Sequence, residues 1–116
     1  MKSLTRSPFR TKLALVVPNF EWCDWDENTR WHFIPYNLCL LAAGVKDLCE
    51  IKIIDANLNN MGDDEFQKEI AEFSPEIVGI SVLMDQYGKA GHHAAQLVKN
   101  TLKNATVIMG GVYATM

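Results

Sequence analysis

Four short apolar runs, each followed by residues that favour turns, constrain the fold of this 116-residue chain more than any other feature. The runs cover residues 12–18, 50–55, 77–83 and 106–109, and they are rich in valine and isoleucine. Apolar runs of this length with β-branched residues are typical of strands that are buried on both faces of a parallel sheet. The sequence therefore predicts four parallel strands.

Segments with helical spacing separate the four runs. The first begins at Pro35, since proline is favoured in the first turn of a helix, and the second is capped by Asp63 or Asp64. A third covers residues 87–103. Alternating strands and helices imply right-handed crossovers, so we predict a three-layer α/β domain with a flavodoxin-like, Rossmann-like parallel sheet in the order 2-1-3-4. The apolar face of the first helix is predicted to comprise Leu38, Leu41, Ala42, Val45 and Leu48.

Charge and composition exclude several classes of partner. The net charge is -3 and there is no basic stripe, so we expect no nucleic-acid partner. The apolar run at residues 13–18 is too short for a signal peptide, and no run approaches the length of a membrane-spanning helix. The three cysteines have no C-x-x-C spacing, which argues against a metal site built by this chain alone. We therefore expect a cytoplasmic protein without a membrane partner.

The domain organisation predicted from the sequence is simple. Residues 1–11 are polar and basic and are predicted to be a flexible lead-in, whereas residues 12–116 form one α/β domain. A five-stranded flavodoxin-like sheet would continue with another helix and strand, so we expect a fragment of a longer chain, truncated before a fifth strand. The fourth strand would then be an exposed edge through which two copies could pair.

In this strand order, ligands bind at the carboxyl ends of the strands, at the switch point between the first and third strands. The loops expected there are residues 19–34 and 84–88, with residues 110–113 beside them. The first loop is unusually long for a compact domain and is therefore expected to be functional. It contains all three tryptophans, which either cover a ligand or pack against a neighbouring domain: Trp22, Trp25 and Trp31.

Small residues at the ends of the third and fourth strands are expected to line this crevice. Ser81 and Leu83 point toward it if the third strand extends to Leu83. Gly110 and Gly111 leave room for a bulky ligand, although two glycines serve equally well in a tight turn. The familiar ligands of this fold do not fit, because the chain lacks G-x-G-x-x-G after the first strand, a flavin-phosphate loop, and the aspartate that ends the third strand of a phospho-receiver.

The order and spacing of four segments point to one family. The segments are IPYNLCLLAAGV, IKIIDAN, PEIVGIS and VIMGGVYAT. From Lys12 to Thr115 the chain resembles the N-terminal cobalamin-binding domain of cobalamin-dependent radical SAM enzymes. The resemblance implies that cobalamin lies over the strand ends, with its nucleotide tail beside the first and third strands. The cofactor-binding residues that it implies are Asn19, Phe20, Ser81, Leu83, Met84, Gly110, Gly111, Val112 and Tyr113.

The chain departs from the wider cobalamin-binding group in one respect. Methionine-synthase-like domains carry D-x-H-x-x-G after the first strand, and the histidine of that motif binds cobalt from below. The motif is absent here, as is common in the radical SAM subgroup. We therefore predict no metal ligand from the protein. His32 lies in the equivalent loop and is the alternative, but a lone histidine among aromatic residues is more often packed or hydrogen-bonded.

The chain lacks the C-x-x-x-C-x-x-C motif of radical SAM enzymes, so we expect it not to be catalytic alone. By the resemblance, the 4Fe-4S cluster and S-adenosylmethionine belong to a downstream radical SAM domain of the parent chain, which would be its partner. The parent would be a methyltransferase or an anaerobic magnesium-protoporphyrin monomethyl ester cyclase. The alternatives are a ligand-free α/β protein-interaction module and an enzyme with the long loop as its lid, although no nucleophile–base pair is evident.

Overall fold

The computed structural model describes residues 11–22, 36–82 and 88–110. Within them, four parallel strands form one sheet in the order β2-β1-β3-β4, which confirms the predicted order. The strands are β1 (Thr11–Val17), β2 (Cys49–Asp55), β3 (Ile77–Ser81) and β4 (Thr106–Gly110). Thr11, predicted as the end of the lead-in, belongs to β1 because it pairs with Cys49. The remaining lead-in residues lie outside the described residues.

Three helices and one short turn connect the strands. The helices are α1 (Tyr36–Val45), α2 (Asp63–Phe73) and α3 (Gly88–Thr101), and a 3-10 turn covers Phe20–Trp22 after β1. The predicted cap of α2 is wrong by one or two residues, because Gly62 occupies the N-cap position. Asp63 and Asp64 lie inside the first turn, where the positive end of the helix dipole favours carboxylates. No helix in the described part of the chain is long and apolar enough to cross a membrane.

The main core lies between the sheet and helices α2 and α3. The sheet contributes one face of its strands, α2 contributes Phe66 and Ile70, and α3 contributes a stripe of small and branched residues. Phe66 is fully buried in this layer. The strand residues of this core are Ala14, Val16, Ile54, Val78 and Ile80, and Val82 directly after β3 belongs to it as well. Burial of this continuous apolar layer is the main source of stability that the described residues show.

The opposite face of the sheet is covered only in part. Among the described residues, helix α1 packs Leu38 against Leu15 and Val17, whereas Ile108, on the half of this face formed by β3 and β4, is 54% exposed. Two residues predicted for the packed face of α1 are instead exposed, Leu41 by about half and Leu48 by 72%. The prediction is wrong for Leu48 because α1 ends at Val45. It is wrong for Leu41 because α1 packs through Leu38 and Ala42.

Two glycines in helices provide a direct test of this packing. A Cβ atom at Gly91 in α3 would lie 2.5 Å from Cγ2 of the buried Val82, whereas one at Gly44 in α1 would have no described atom within 4 Å. We expect Gly91→Ala to lower the free energy of unfolding by about 1–3 kcal/mol, since overpacking outweighs the gain in helix propensity. Gly44→Ala should raise it by about 0.5–1 kcal/mol.

Urea unfolding followed by circular dichroism measures both values. If Gly91→Ala and Gly44→Ala changed the free energy of unfolding equally, the close approach of α3 to the end of β3 would be contradicted.

Candidate functional site

The last residues of the four strands form one row at the carboxyl end of the sheet. Asp55 pairs with Val17, Val17 follows the pair Val16–Ile80, and Ser81 pairs with Gly110. Side chains alternate along a strand, and the residues of β1 and β3 just before this row, Val16 and Ile80, belong to the core beneath α2 and α3. The row therefore faces the side of the sheet that α1 covers only in part.

The structure places Ser81 and Gly110 side by side in paired strands. The resemblance implied a cofactor-binding role for each of them, and that role stays a prediction. Ser81 is half-buried, Gly110 is exposed, and a Cβ atom built at Gly110 meets no described atom within 4 Å. The Val82 N–H donates to the Gly110 carbonyl at 2.9 Å, which extends the pairing past the end of β3. A hydroxyl next to an open, side-chain-free strand end provides a hydrogen-bonding group and the space that a bulky ligand needs.

Asn19, also implied as a cofactor-binding residue, uses its side chain to hold two loops together. Only 2% of Asn19 is exposed, and its Nδ2 donates to Asn60 Oδ1 at 2.9 Å and to the Met61 carbonyl at 3.0 Å. Its Oδ1 accepts the Glu21 N–H at 2.9 Å. Asn60 has a left-handed φ of 48°, which asparagine tolerates better than most residues. Asn19 thus ties the loop after β1 to the loop after β2.

Trp22 is held by two helices of its own domain. Its ring lies 5.3 Å, centroid to centroid, from Phe66 of α2 in an edge-to-face arrangement, and also 5.3 Å from His93 of α3. This packing within the domain was not among the roles predicted for the tryptophans. Phe20 lies in the same 3-10 turn, so its backbone is placed at the carboxyl end of β1.

His93 forms the second contact that sequence reasoning missed. Its Nε2 lies 2.8 Å from Oδ1 of Asp63, the first residue of α2, while the neighbouring His92 is exposed. The sequence did contain a signal for this contact, because Asp63 and His93 lie near the starts of consecutive helices. The starts of such helices lie close together at the carboxyl edge of a parallel sheet. In the part of the chain that the structure describes, no three His, Cys, Asp or Glu side chains are grouped closely enough to hold a metal ion.

Several predicted residues lie outside the described residues, and their roles remain predictions. They are Leu83, Met84, Gly111, Val112, Tyr113 and the alternative cobalt ligand His32. Trp25 and Trp31 also lie outside them.

Sequence comparison decides the family. A family model described as the B12 binding domain matches residues 29–116, which is most of the chain. The chain belongs to the B12-binding domain family. Since B12 is cobalamin, this confirms the predicted kind of domain and its cofactor class.

Solved structures confirm the fold of this B12-binding domain. It aligns with the radical S-adenosylmethionine methyltransferase TsrM of Kitasatospora setae, solved with cobalamin and a [4Fe-4S] cluster, at a TM-score of 0.68 and 19% identity. The alignment covers 89% of this chain and 20% of that chain. The same values hold for TsrM with its tryptophan substrate and an analogue of S-adenosylmethionine.

A curated relative is closer in sequence. An uncharacterized methyltransferase of Pyrococcus horikoshii is 33% identical over 81 residues, which are 70% of this chain and 17% of that protein. The chain therefore spans only about a fifth of the length of the relatives described here, at 17% and 20% of their chains.

The role of Asn19 in joining two loops leads to a stability prediction. We expect Asn19→Ala to lower the free energy of unfolding by about 2–3 kcal/mol, because it leaves the buried Met61 carbonyl and the Glu21 N–H without their partner. Asn59→Ala is the matched control, since Asn59 makes one exposed bond, to the Asp55 carbonyl, and its loss should change the value by less than about 0.5 kcal/mol.

Both variants are compared by urea unfolding. If Asn19→Ala lowered the free energy of unfolding no more than Asn59→Ala does, the hydrogen bonds of Asn19 would not be holding the two loops together.

Proposed function

We propose that this B12-binding domain binds cobalamin at the carboxyl ends of β1, β3 and β4 and serves a radical SAM enzyme. The observation that carries the proposal is the pair Ser81–Gly110, which combines a hydroxyl with open space at the switch point of the sheet. When bound, cobalamin supplies a cobalt centre for methyl-transfer or radical chemistry, while the protein supplies binding and orientation.

The residues of this chain divide into two roles in the proposed site. Ser81 offers a hydrogen bond to the nucleotide tail, and Gly110 leaves the tail room beside β4. Leu83 would line this channel and Gly111 would give the tail further room, with Val112 and Tyr113 near the corrin edge. Met84 is a further cofactor-binding residue that the resemblance implies. Asn19 contributes by fixing the turn after β1, since its Nδ2 and Oδ1 bond to the protein itself.

We also propose a radical SAM domain as the partner in a longer parent chain. That domain would hold the 4Fe-4S cluster and S-adenosylmethionine and would operate in the reducing cytoplasm. Both proteins compared above are named as methyltransferases, which favours methyl transfer over ring cyclisation. Ile108 of β4, which is 54% exposed on the face that α1 covers in part, offers this domain an apolar contact.

The same surface also supports the second candidate function, a ligand-free interaction module. Leu40 and Leu41 of the uncharged helix α1 are about half exposed on this side of the sheet. Pairing of two copies through the β4 edge is the corresponding oligomeric proposal, which sedimentation of the purified chain tests.

The first test of cobalamin binding is a titration of the purified chain with hydroxocobalamin, followed by desalting. We expect corrin absorbance to stay with the protein, and the positions of the absorption bands report whether the nucleotide base has left cobalt. Circular dichroism of the same sample checks that the chain is folded. A folded chain that retains no corrin favours the interaction module.

A substitution in β4 tests the placement of the tail. Gly110→Val fills the open space beside Ser81, so we expect it to abolish retention of hydroxocobalamin without a change in the circular dichroism spectrum. Thr106→Ile is the control, because it adds bulk to the same face of the same strand at the opposite end of the sheet. Retention by Gly110→Val equal to that of the control would exclude this placement.

A further inference from the structure

One cluster of side chains joins three separate elements at the carboxyl edge of the sheet. Asp63 is the first residue of α2, His93 lies in the second turn of α3, and Trp22 ends the 3-10 turn after β1. The buried Phe66 of α2 completes the cluster beneath the indole ring. Sequence analysis assigned Asp63, His93 and Phe66 no role at the site, and neither role predicted for Trp22 involves them, so the cluster needs a separate explanation.

The geometry makes His93 the link between the helices and the turn. Its Nε2 lies 2.8 Å from Asp63 Oδ1, a hydrogen bond that favours one orientation of the imidazole. Its ring lies 5.3 Å from the indole of Trp22, inclined by 59°. The side chains of His93 and Asp63 are 37% and 50% exposed, and pairs this exposed add little to stability. What the pair does determine is the orientation of a ring that contacts Trp22.

The turn that Trp22 ends has two anchors of different kinds. The first is Asn19, which is buried and is bonded to the loop after β2, and whose carbonyl accepts the Trp22 N–H at 3.0 Å. The second is the Trp22 side chain, held between Phe66 and His93. The first anchor fixes where the turn starts, and the second fixes its direction against α2 and α3.

We propose that His93, oriented by Asp63, is a positioning residue of the cobalamin site, which fixes Trp22 and so preorganises the turn Phe20–Trp22. This inference rests on the proposed function, because the turn follows β1 at the switch point where we place cobalamin. A turn that is already in place lowers the ordering cost of binding, so the effect of His93 falls on affinity.

A second side-chain pair of similar exposure provides a matched control. Lys52 Nζ lies 2.8 Å from Glu69 Oε1, and these side chains are 37% and 33% exposed. The pair also includes a carboxylate of α2, but it joins α2 to β2 and not to the turn. If an exposed pair on α2 affected binding only through general stability, the loss of either pair would have the same effect.

The experiment compares His93→Ala, His93→Gln and Glu69→Gln by titration with hydroxocobalamin. We expect His93→Ala to raise the Kd about five- to tenfold, since the turn loses one anchor. The Kd of His93→Gln should stay within about twofold of that of the unsubstituted chain, because the glutamine amide can donate to Asp63 and pack on the indole. Glu69→Gln should leave the Kd unchanged. The midpoint of urea unfolding is measured for each variant.

A second readout does not depend on the cofactor. Chains labelled with 5-fluorotryptophan give a fluorine resonance for each tryptophan, and Trp22→Phe identifies that of Trp22. In the absence of hydroxocobalamin, His93→Ala should shift or broaden this resonance, whereas Glu69→Gln should not.

The outcomes separate this inference from the function on which it rests. If the unsubstituted chain does not bind hydroxocobalamin, the proposed function fails and the inference fails with it. If the unsubstituted chain binds but His93→Ala has the same Kd or leaves the Trp22 resonance in place, only the inference is overturned. Equal losses of affinity for His93→Ala and Glu69→Gln, in step with their unfolding midpoints, would also overturn it. A loss of affinity for hydroxocobalamin in His93→Ala, with affinity retained in His93→Gln, supports the inference.

Discussion

Pairing of β1 on both of its edges is the interaction around which the described elements are arranged. β1 pairs with β2 along its whole length and with β3 through four residues, and its last four residues are buried. Successive side chains alternate between faces, so Ala14 and Val16 enter one layer of the core while Leu15 and Val17 enter the other. Because β1 is paired on both edges, the position of its last residue, Val17, is fixed, and the turn that begins at Asn19 starts from that position.

The two faces of the sheet differ in how completely they are covered, and the functional proposals follow this difference. On the side of α2 and α3, the core is continuous and the cluster around Trp22 fixes the direction of the turn. On the other side, α1 packs on β1, and a Cβ atom at Gly110, beside Ser81, would meet no described atom within 4 Å. One face therefore supplies rigidity and the other supplies room, a combination that suits a binding site for a large cofactor.

The sequence predicts the strands and their order because each strand is encoded locally, and because parallel crossovers allow few arrangements. The neighbouring positions of Ser81 and Gly110 follow from the same rule, since both residues end adjacent strands. The exposure of Leu41 and Leu48 could not be predicted in this way. Apolar spacing shows which residues can form a buried face, but the coverage of that face depends on which other elements pack on it.

The sequence by itself determined the four strands, the helices between them, the strand order and the family. The strands and helices are encoded by periodicity within about ten to twenty neighbouring residues, whereas the strand order follows from crossover rules and the family from the order and spacing of four segments. Only the tertiary structure decided that Asn19 bonds across 41 residues to Asn60, and that His93 meets Asp63 across 30 residues to support Trp22. Such contacts depend on the angle and depth at which α2 and α3 pack on the sheet, and these are set by the whole core.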